Sequence, residues 1–139
     1  MKKSQLFNRV ASSGLVAFTG LAFNVAALAV DDAVVASGKA RFGQYCAVCH
    51  GPGAKGDGPF ASLLTSKPAD LTMLAKANNG EFPFGRVYDT VDGRNMLTAH
   101  GTNDMPIWGQ EMKDAGIGGE TELRGRLLET VIYLRSVQQ

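Results

Sequence analysis

One short motif, Cys46-Ala47-Val48-Cys49-His50, constrains this chain more than any other feature of its sequence. Two residues between the cysteines place both sulfur atoms on one turn, where each can add to one vinyl group of a haem. The histidine that follows directly then lies under the iron and can donate a ring nitrogen to it. The motif therefore predicts one covalently attached haem c, with Cys46 and Cys49 as thioethers and His50 as an iron ligand.

Two other uses of paired cysteines fit the sequence less well. A thioredoxin-type redox pair expects a surrounding β-α-β pattern, and the sequence does not show one. A zinc site needs about four ligands. Beyond Cys46, Cys49 and His50, the chain offers only one more histidine, His100. Haem attachment is therefore the preferred interpretation of the motif.

The start of the chain has the pattern of an export signal. Three basic residues lie among the first nine, an uncharged and mostly apolar stretch follows over 10–28, and Ala27-Leu28-Ala29 is a small-x-small cleavage site. A retained membrane anchor is the alternative, but a spanning helix needs about 20 mostly apolar residues, which this stretch barely reaches. We predict a signal peptide over 1–29, one domain over 30–139 and a periplasmic location.

Removal of this signal changes the formal net charge from +1 to −2, because its three basic residues leave while all 13 acidic residues remain. So small a charge argues against nucleic-acid binding as a function. It also gives the mature protein no strong overall field. We expect a monomer that contacts a membrane only through membrane-bound redox partners.

The mature sequence predicts helices and loops, with no strand of any confidence. The predicted helices are 31–45, 83–91 and 120–137, with shorter helical pieces over 60–77. Glycine and proline dominate 51–59, and 93–109 shows little periodicity, so both segments are predicted to be loops. The last helix has the clearest apolar stripe, which consists of Leu123, Leu127, Val131 and Leu134.

Gly38 lies inside the first predicted helix, where a glycine costs about 1 kcal/mol relative to alanine. Close approach of another helix is the usual reason for such a residue. Tyr133 in the last helix is well placed to meet this face, and Phe42 lies four residues after Gly38 on the same side. We therefore expect the first and last helices to touch at Gly38.

The second axial ligand decides the class of function, because a six-coordinate haem carries electrons while a five-coordinate one binds gases or does chemistry. The candidates are Met73, Met96, Met105, Met112 and His100. Met105 is favoured, since it lies 55 residues after His50 and Pro106 holds it in an extended conformation. His100 is the rival, Met96 is a weaker alternative, and Met73 and Met112 are expected to be packing residues.

Three further residues are predicted to contact the haem or its histidine. The carbonyl of Pro59, in the loop after the motif, can accept a hydrogen bond from the second ring nitrogen of His50. Trp108 offers a flat wall and an N–H that can reach a propionate. Arg94 can pair with a propionate through its two-pronged guanidinium, although a solvated surface arginine is an equally good interpretation.

Together these residues resemble those of class I c-type cytochromes of the exported bacterial type. The resemblance rests on the motif with Gly51 and on further stretches: Gly56–Pro59, Pro68–Thr72, Asp92–Arg94, His100-Gly101, Met105–Gly109 and Val131–Arg135. It implies a small all-α fold of several helices wrapped around one covalently attached haem. It also implies Met105 as the distal ligand, the Pro59 carbonyl as the acceptor for His50, and Gly38 as the point where the first and last helices cross.

The resulting prediction is a periplasmic monohaem cytochrome c that carries single electrons between redox protein partners and is not itself an enzyme. A cytochrome c subunit of a periplasmic dehydrogenase complex is the first alternative, because the chemistry of the chain would be the same. A gas-binding or sensing haem protein with an open distal site is the second, and it requires that no side chain occupy the sixth position.

Overall fold

The computed structural model describes residues 32–94 and 105–139, and these ranges contain α-helices and short 3₁₀ turns but no β-strand. The helices are α1 (Asp32–Tyr45), α2 (Ala47–His50), α3 (Phe84–Asp92), α4 (Trp108–Asp114) and α5 (Glu120–Ser136). The 3₁₀ turns lie between α2 and α3, at Ala61–Leu63, Leu71–Met73 and Lys76–Asn78. The predicted all-α fold is confirmed, and α1, α3 and α5 begin and end within one residue of their predicted bounds.

α4 is the helix that the sequence prediction missed. Trp108 and Gly109 are helical, whereas the sequence predicts a loop as far as Gly109. The helix has only seven residues, and its N-cap, Ile107, makes no side-chain hydrogen bond to it. Neither periodicity nor a capping residue therefore marks its start. Tertiary packing explains its formation, because Met112 is buried in the core.

α1 and α5 pack against each other at Gly38, as the sequence predicts. A Cβ atom on Gly38 would overlap the backbone carbonyl oxygen of Glu129 and would lie 2.9 Å from Cβ of Tyr133. The rings of Phe42 and Tyr133 pack beside this contact, with their centroids 5.4 Å apart. Arg41 and Glu129 join the same two helices through an ion pair with an N–O distance of 2.6 Å. The close contact between backbones accounts for a glycine at this position.

The core lies along α5. All four residues of its predicted apolar stripe are buried: Leu123, Leu127, Val131 and Leu134. Side chains of α1, α3 and α4 join them, including Phe42, Val87, Val91 and Met112. α5 is thus the common support of the other three longer helices, and it places them around the space that the next subsection describes.

Some sequence predictions concern residues outside the described ranges. They are the signal peptide over 1–29, the rival ligand His100 and the weaker alternative Met96. In the part of the chain that the structure describes, no helix is both long enough and apolar enough to cross a membrane.

Candidate cofactor site

The cysteine–histidine motif forms a turn that continues directly from α1. The N–H of Cys46 donates to the carbonyl of Phe42 at 2.9 Å, and the N–H of His50 donates to the carbonyl of Cys46 at 2.9 Å. The side chains of Cys46, Cys49 and His50 all line one cavity. α1 and α2 therefore present two sulfur atoms and an imidazole to the same space.

Both cysteines are free thiols in the structure. Burial, and to a smaller extent the neighbouring Cys49, raises the pKa of the Cys46 thiol to about 12. Redox-active cysteine pairs depend on a lowered thiol pKa, because the thiolate is the reactive species. The environment of Cys46 therefore disfavours a dithiol redox centre and is compatible with a thioether.

The loop after the motif folds back against it because glycines allow the required backbone. Gly51 and Gly56 have φ angles of 76° and 73°, in a region that residues with side chains rarely adopt. Gly58 lies against the turn itself, where a Cβ atom would be 2.5 Å from the carbonyl oxygen of Val48. Its N–H donates to the carbonyl of Cys49 at 3.1 Å. The loop thus buttresses the motif through backbone contacts.

His50 has a different hydrogen-bond acceptor from the predicted Pro59 carbonyl. Its Nδ1 lies 3.3 Å from the carbonyl oxygen of Ala69. The cause is a close backbone approach that the sequence does not reveal: the carbonyl of Pro68 occupies the space where a Cβ atom on Gly56 would lie. This contact brings the Ala69 carbonyl next to the imidazole. A proton on Nδ1, donated to that carbonyl, leaves Nε2 as the metal-binding nitrogen.

The electrostatic environment keeps this imidazole neutral. Burial lowers the pKa of His50, and the hydrogen bond to the Ala69 carbonyl offsets part of that effect. An imidazole binds a metal ion through the lone pair of a neutral ring nitrogen. The half-buried position of His50 therefore favours the protonation state that iron ligation needs.

The cavity beside the motif has a volume of about 510 Å³, and ligand pockets in general have about 300–1,000 Å³. Its wall combines the motif with residues from α1, α3, α5 and the connecting segments. Apolar lining residues include Phe42, Leu71, Leu74, Val87, Val91 and Leu134. A ligand with a large apolar surface is the kind of group that such a wall accommodates.

Met105 lines the same cavity as His50. The structure thus places the favoured sulfur ligand in the wall of the same cavity as the histidine, although 55 residues separate them in the sequence. Met112 is buried in the core and Met73 lies in a 3₁₀ turn, and neither lines the cavity. Trp108 also lines it, with its ring centroid 5.3 Å from that of Tyr45.

Arg94 does not line the cavity, so the structure does not bring it to the predicted propionate position. Its guanidinium instead forms ion pairs with Asp92 at 2.5 Å and with Glu120 at 2.9 Å. The cationic side chains in the cavity wall are those of Arg86 and Lys67. The sequence analysis missed both of them.

A sequence signal exists for one of these two cations. Arg86 lies on α3 three residues after Pro83 and four residues before Thr90, and all three residues line the cavity. Residues at these spacings share one helical face. Lys67 lies in an irregular segment without periodicity, and no comparable signal marks it.

These residues fit a haem c. Such a group needs two thiols, a neutral imidazole, apolar walls and cations for its propionates, and a sulfur ligand when both axial positions are filled. The cavity contains all of these donors: Cys46, Cys49, His50, Met105, Arg86 and Lys67. The all-α fold and this site together define a class I c-type cytochrome.

The comparison with known families agrees with this class. The family described as "Cytochrome C oxidase, cbb3-type, subunit III" matches residues 33–119, more than half of the chain, and the chain belongs to this family of cytochrome c domains. The match includes both the Cys46–His50 motif and Met105. As a member, the chain binds haem c, transfers electrons rather than catalysing a reaction, and exchanges them with redox proteins. Comparisons with curated proteins and with solved structures found no significant match.

Proposed function

We propose that the chain is an exported, periplasmic monohaem cytochrome c that carries single electrons, with His50 and Met105 as the two iron ligands. The observation that supports this most directly is that both side chains line one cavity. When bound there, haem c supplies a one-electron iron couple. Two protein ligands leave no open position for a gas or a substrate, so they favour electron transfer.

The side chains and backbone of this site have separate roles. Cys46 and Cys49 hold the group covalently. The Ala69 carbonyl accepts a hydrogen bond from Nδ1 of His50, which orients the ring and directs Nε2 to the iron. The apolar wall excludes water, which disfavours the extra charge of the ferric state and so raises the reduction potential. A methionine sulfur ligand raises the reduction potential further.

A test of the axial ligands uses the weak far-red absorption band that ferric haem shows when a methionine sulfur binds the iron. We expect the band in the parent protein and its loss in Met105→Ala, with carbon monoxide binding gained in the ferrous state. Met112→Leu is the matched control, because Met112 is buried outside the cavity. A parent protein that lacks the band and binds carbon monoxide readily would instead be a gas-binding haem protein.

We expect the propionates to lie near Arg86 and Lys67, with the indole N–H of Trp108 as a further donor, because these groups line the cavity wall. A positive charge near the haem disfavours the ferric state. Arg86→Gln and Lys67→Gln should therefore lower the reduction potential measured by voltammetry. Lys39→Gln, an exposed position of α1 outside the cavity wall, is the control and should leave the potential nearly unchanged.

Export is the part of the proposal that rests on the sequence of the first 29 residues. Amino-terminal sequencing of the protein purified from its native cell should find Val30 as the first residue. The protein should be released with the periplasmic fraction. An intact Met1 or Lys2 on a membrane-bound protein would identify an anchor instead.

We further propose that electrons enter and leave through an apolar patch of three exposed residues, one in the motif and two shortly after it. Val48, Phe60 and Leu63 are 39 %, 52 % and 76 % exposed. Backbone hydrogen bonds of 2.9 Å connect Phe60 to Val48 and Leu63 to Phe60, so the three residues are neighbours. Val48 lies between Cys46 and Cys49, so this patch would lie beside the edge of the haem that these two cysteines hold. Redox contacts of this kind are small, below about 1,200 Å².

Electron self-exchange between ferrous and ferric copies tests this patch without knowledge of the natural partner. Leu63→Glu should slow self-exchange by about tenfold or more, because it adds a charge to the contact of both molecules. Leu128→Glu is the matched control, since Leu128 is an exposed leucine of α5, 39 % exposed, outside this patch. Equal rates in the two variants would exclude the patch as the exchange surface.

A permanent subunit of a larger redox complex, such as a dehydrogenase, is the second candidate. The description of the matching family names an oxidase subunit, which favours this alternative. The mass of the natively purified protein distinguishes the two. A free carrier elutes as a monomer, and a subunit elutes with its partners.

A further inference from the structure

Arg94 joins the end of α3 to the start of α5. Its guanidinium donates to Asp92 with Nε–Oδ1 and Nη2–Oδ2 distances of 2.5 and 3.0 Å. It also donates to Glu120 with Nη1–Oε2 and Nη2–Oε1 distances of 2.9 and 3.0 Å. Both carboxylates are bound through two nitrogen–oxygen contacts, a geometry that suits the planar guanidinium and that a lysine does not reproduce. The Arg94 and Asp92 side chains are only 19 % and 9 % exposed.

α4 lies directly against this ion pair. A Cβ atom on Gly109, in the first turn of α4, would lie 2.5 Å from Nε of Arg94 and would overlap Oδ1 of Asp92. A Cβ atom on Gly93 would lie 3.1 Å from Cγ2 of Ile107, just before α4. Residues 107 and 109 therefore both contact the segment 92–94. Met105 is only two residues before the first of these contacts.

We propose that Arg94 is a positioning residue that holds Met105 at the iron, acting through the contact between the ion pair and α4. This inference rests on the proposed His50/Met105 ligation. Met112 anchors α4 in the core, and Trp108 anchors it at the cavity wall. The Asp92–Arg94 pair packs against Gly109 in the first turn of the helix. This contact fixes the position of the backbone between Met105 and α4.

The physical reason is the burial of Asp92. Without the Arg94 guanidinium, the nearly buried carboxylate of Asp92 would lie against the backbone of Gly109 and would have lost its main cationic partner. Such a group must gain water or move, because an unpaired buried charge is strongly unfavourable. α4 would then shift away from residue 92 and would carry Met105 with it. The Cys46–His50 motif is held by its own backbone hydrogen bonds and would stay in place.

A second ion pair, whose arginine is buried to a similar degree but whose carboxylate is more exposed, provides the control. Arg41 and Glu129 join α1 to α5 with an N–O distance of 2.6 Å, and their side chains are 23 % and 29 % exposed. This pair resembles the Arg94 pair in the burial of its arginine and in bridging two helices, but it belongs to the α1–α5 contact rather than to α4. Removing it should weaken the fold without a selective effect on Met105.

The experiment compares Arg94→Gln, Arg94→Lys and Arg41→Gln in the haem-containing protein. Two melting curves are recorded for each: loss of the far-red methionine band and loss of helical circular dichroism. In Arg94→Gln the band should disappear at least about 5 °C before the helices melt, and the reduction potential should fall. In Arg94→Lys the difference between the temperatures at which the band and the helical signal are lost should be smaller. In Arg41→Gln both signals should be lost together.

The remaining outcomes each decide the inference. If Arg94→Gln loses band and helix together, as Arg41→Gln does, Arg94 is only structural and the inference fails while the proposed ligation stands. If Met105→Ala keeps the band, both the ligation and the inference fail. If Arg94→Gln does not fold, Arg94→Lys, which keeps a cation beside Asp92 but not the two-contact geometry, must still lose the band before the helices melt.

Discussion

The histidine side and the methionine side of the cavity are held by different kinds of contact. On the histidine side, backbone hydrogen bonds link residues close in sequence, such as Cys46 to His50 and Cys49 to Gly58. On the methionine side, the ion pair beside the start of α4 involves Arg94, which reaches Glu120 across 26 residues. Short loops lose little entropy on closure, whereas contacts between distant segments need the assembled fold. We therefore expect heat or denaturant to disrupt the methionine side of the cavity before the histidine side.

The largest expected effect comes from the motif itself. Cys46→Ser combined with Cys49→Ser should abolish covalent haem completely, because no thioether can form. Met105→Ala should keep all of it, because the distal residue forms no covalent bond to the haem. The mass of the denatured protein reports the attached group. Covalent haem in the double variant, or its absence in Met105→Ala, would contradict the assignment of haem attachment to the two cysteines alone.

The next largest effect should come from the contact that connects the two sides. α1 leads into the motif, α5 begins at Glu120, and the two helices touch at Gly38. Gly38→Ala places a Cβ atom on the Glu129 carbonyl, so it should lower the free energy of unfolding by about 3 kcal/mol. Gly43→Ala is the control in the same helix, with no atom within 4 Å of the added Cβ.

Denaturant unfolding measures both variants. Gly43→Ala should be neutral or more stable by up to about 1 kcal/mol, because alanine favours the helix. Gly38→Ala should also lose the methionine band and the helical signal together, since it loosens both sides. Similar stabilities for the two variants would mean that α1 and α5 can separate slightly without cost.

A smaller effect should be confined to the histidine side. Gly56→Ala forces a side chain into a left-handed backbone and against the Pro68 carbonyl, so we expect a loss of about 1–2 kcal/mol. Gly53→Ala lies in the same loop, with its nearest contact at an ordinary 3.9 Å, and should change stability by less than about 0.5 kcal/mol. Thermal unfolding of the haem protein measures both. Early loss of the methionine band in Gly56→Ala would contradict the independence of the two sides.

The smallest effect should be a pH dependence on the methionine side. Hydrogen bonds from Arg94 and Arg124 lower the pKa of Glu120 from 4.5 to about 2. Because the folded-state pKa is lower than the unfolded one, the carboxylate stabilises the fold above pH 4.5 and this contribution is lost as the pH falls towards about 2. Glu120→Gln should therefore be less stable than the parent near neutral pH, by an amount that vanishes in acid.

Urea unfolding at a series of pH values checks this prediction. The stability difference between parent and Glu120→Gln should narrow steadily below pH 4.5. A difference that stays constant throughout this range would show that the carboxylate charge contributes nothing to the Arg94 network. Added salt should reduce the difference at neutral pH, because Glu120 is half-exposed.

Much of the fold was predictable because its signals are local. The apolar stripe of α5 has helical spacing, and Gly38 inside α1 indicated a close helix contact that the structure contains. α4 escaped prediction because seven residues without a capping side chain carry too little local information. Its helical state depends on burying Met112 against residues distant in sequence.

The candidate site divides in the same way. The motif spacing brings Cys46, Cys49 and His50 together, because residues on a single turn of backbone are close to each other whatever the rest of the fold is. The acceptor of His50 did not follow from the sequence: Ala69 takes that position because Gly56 lets a distant segment approach. The partners of Arg94 could not be assigned either, since a cation pairs with whichever anion the fold brings near it.

By itself, the sequence determined the covalent chemistry of this protein and its helical class, because bond-forming residues and apolar periodicity act over a few positions. The tertiary structure decided that Met105 lines the cavity of His50, that the Ala69 carbonyl lies beside the His50 ring and that Arg86 lines the cavity wall. Those choices depend on distances between segments tens of residues apart. Only the packing of α1, α3, α4 and α5 around one cavity sets such distances.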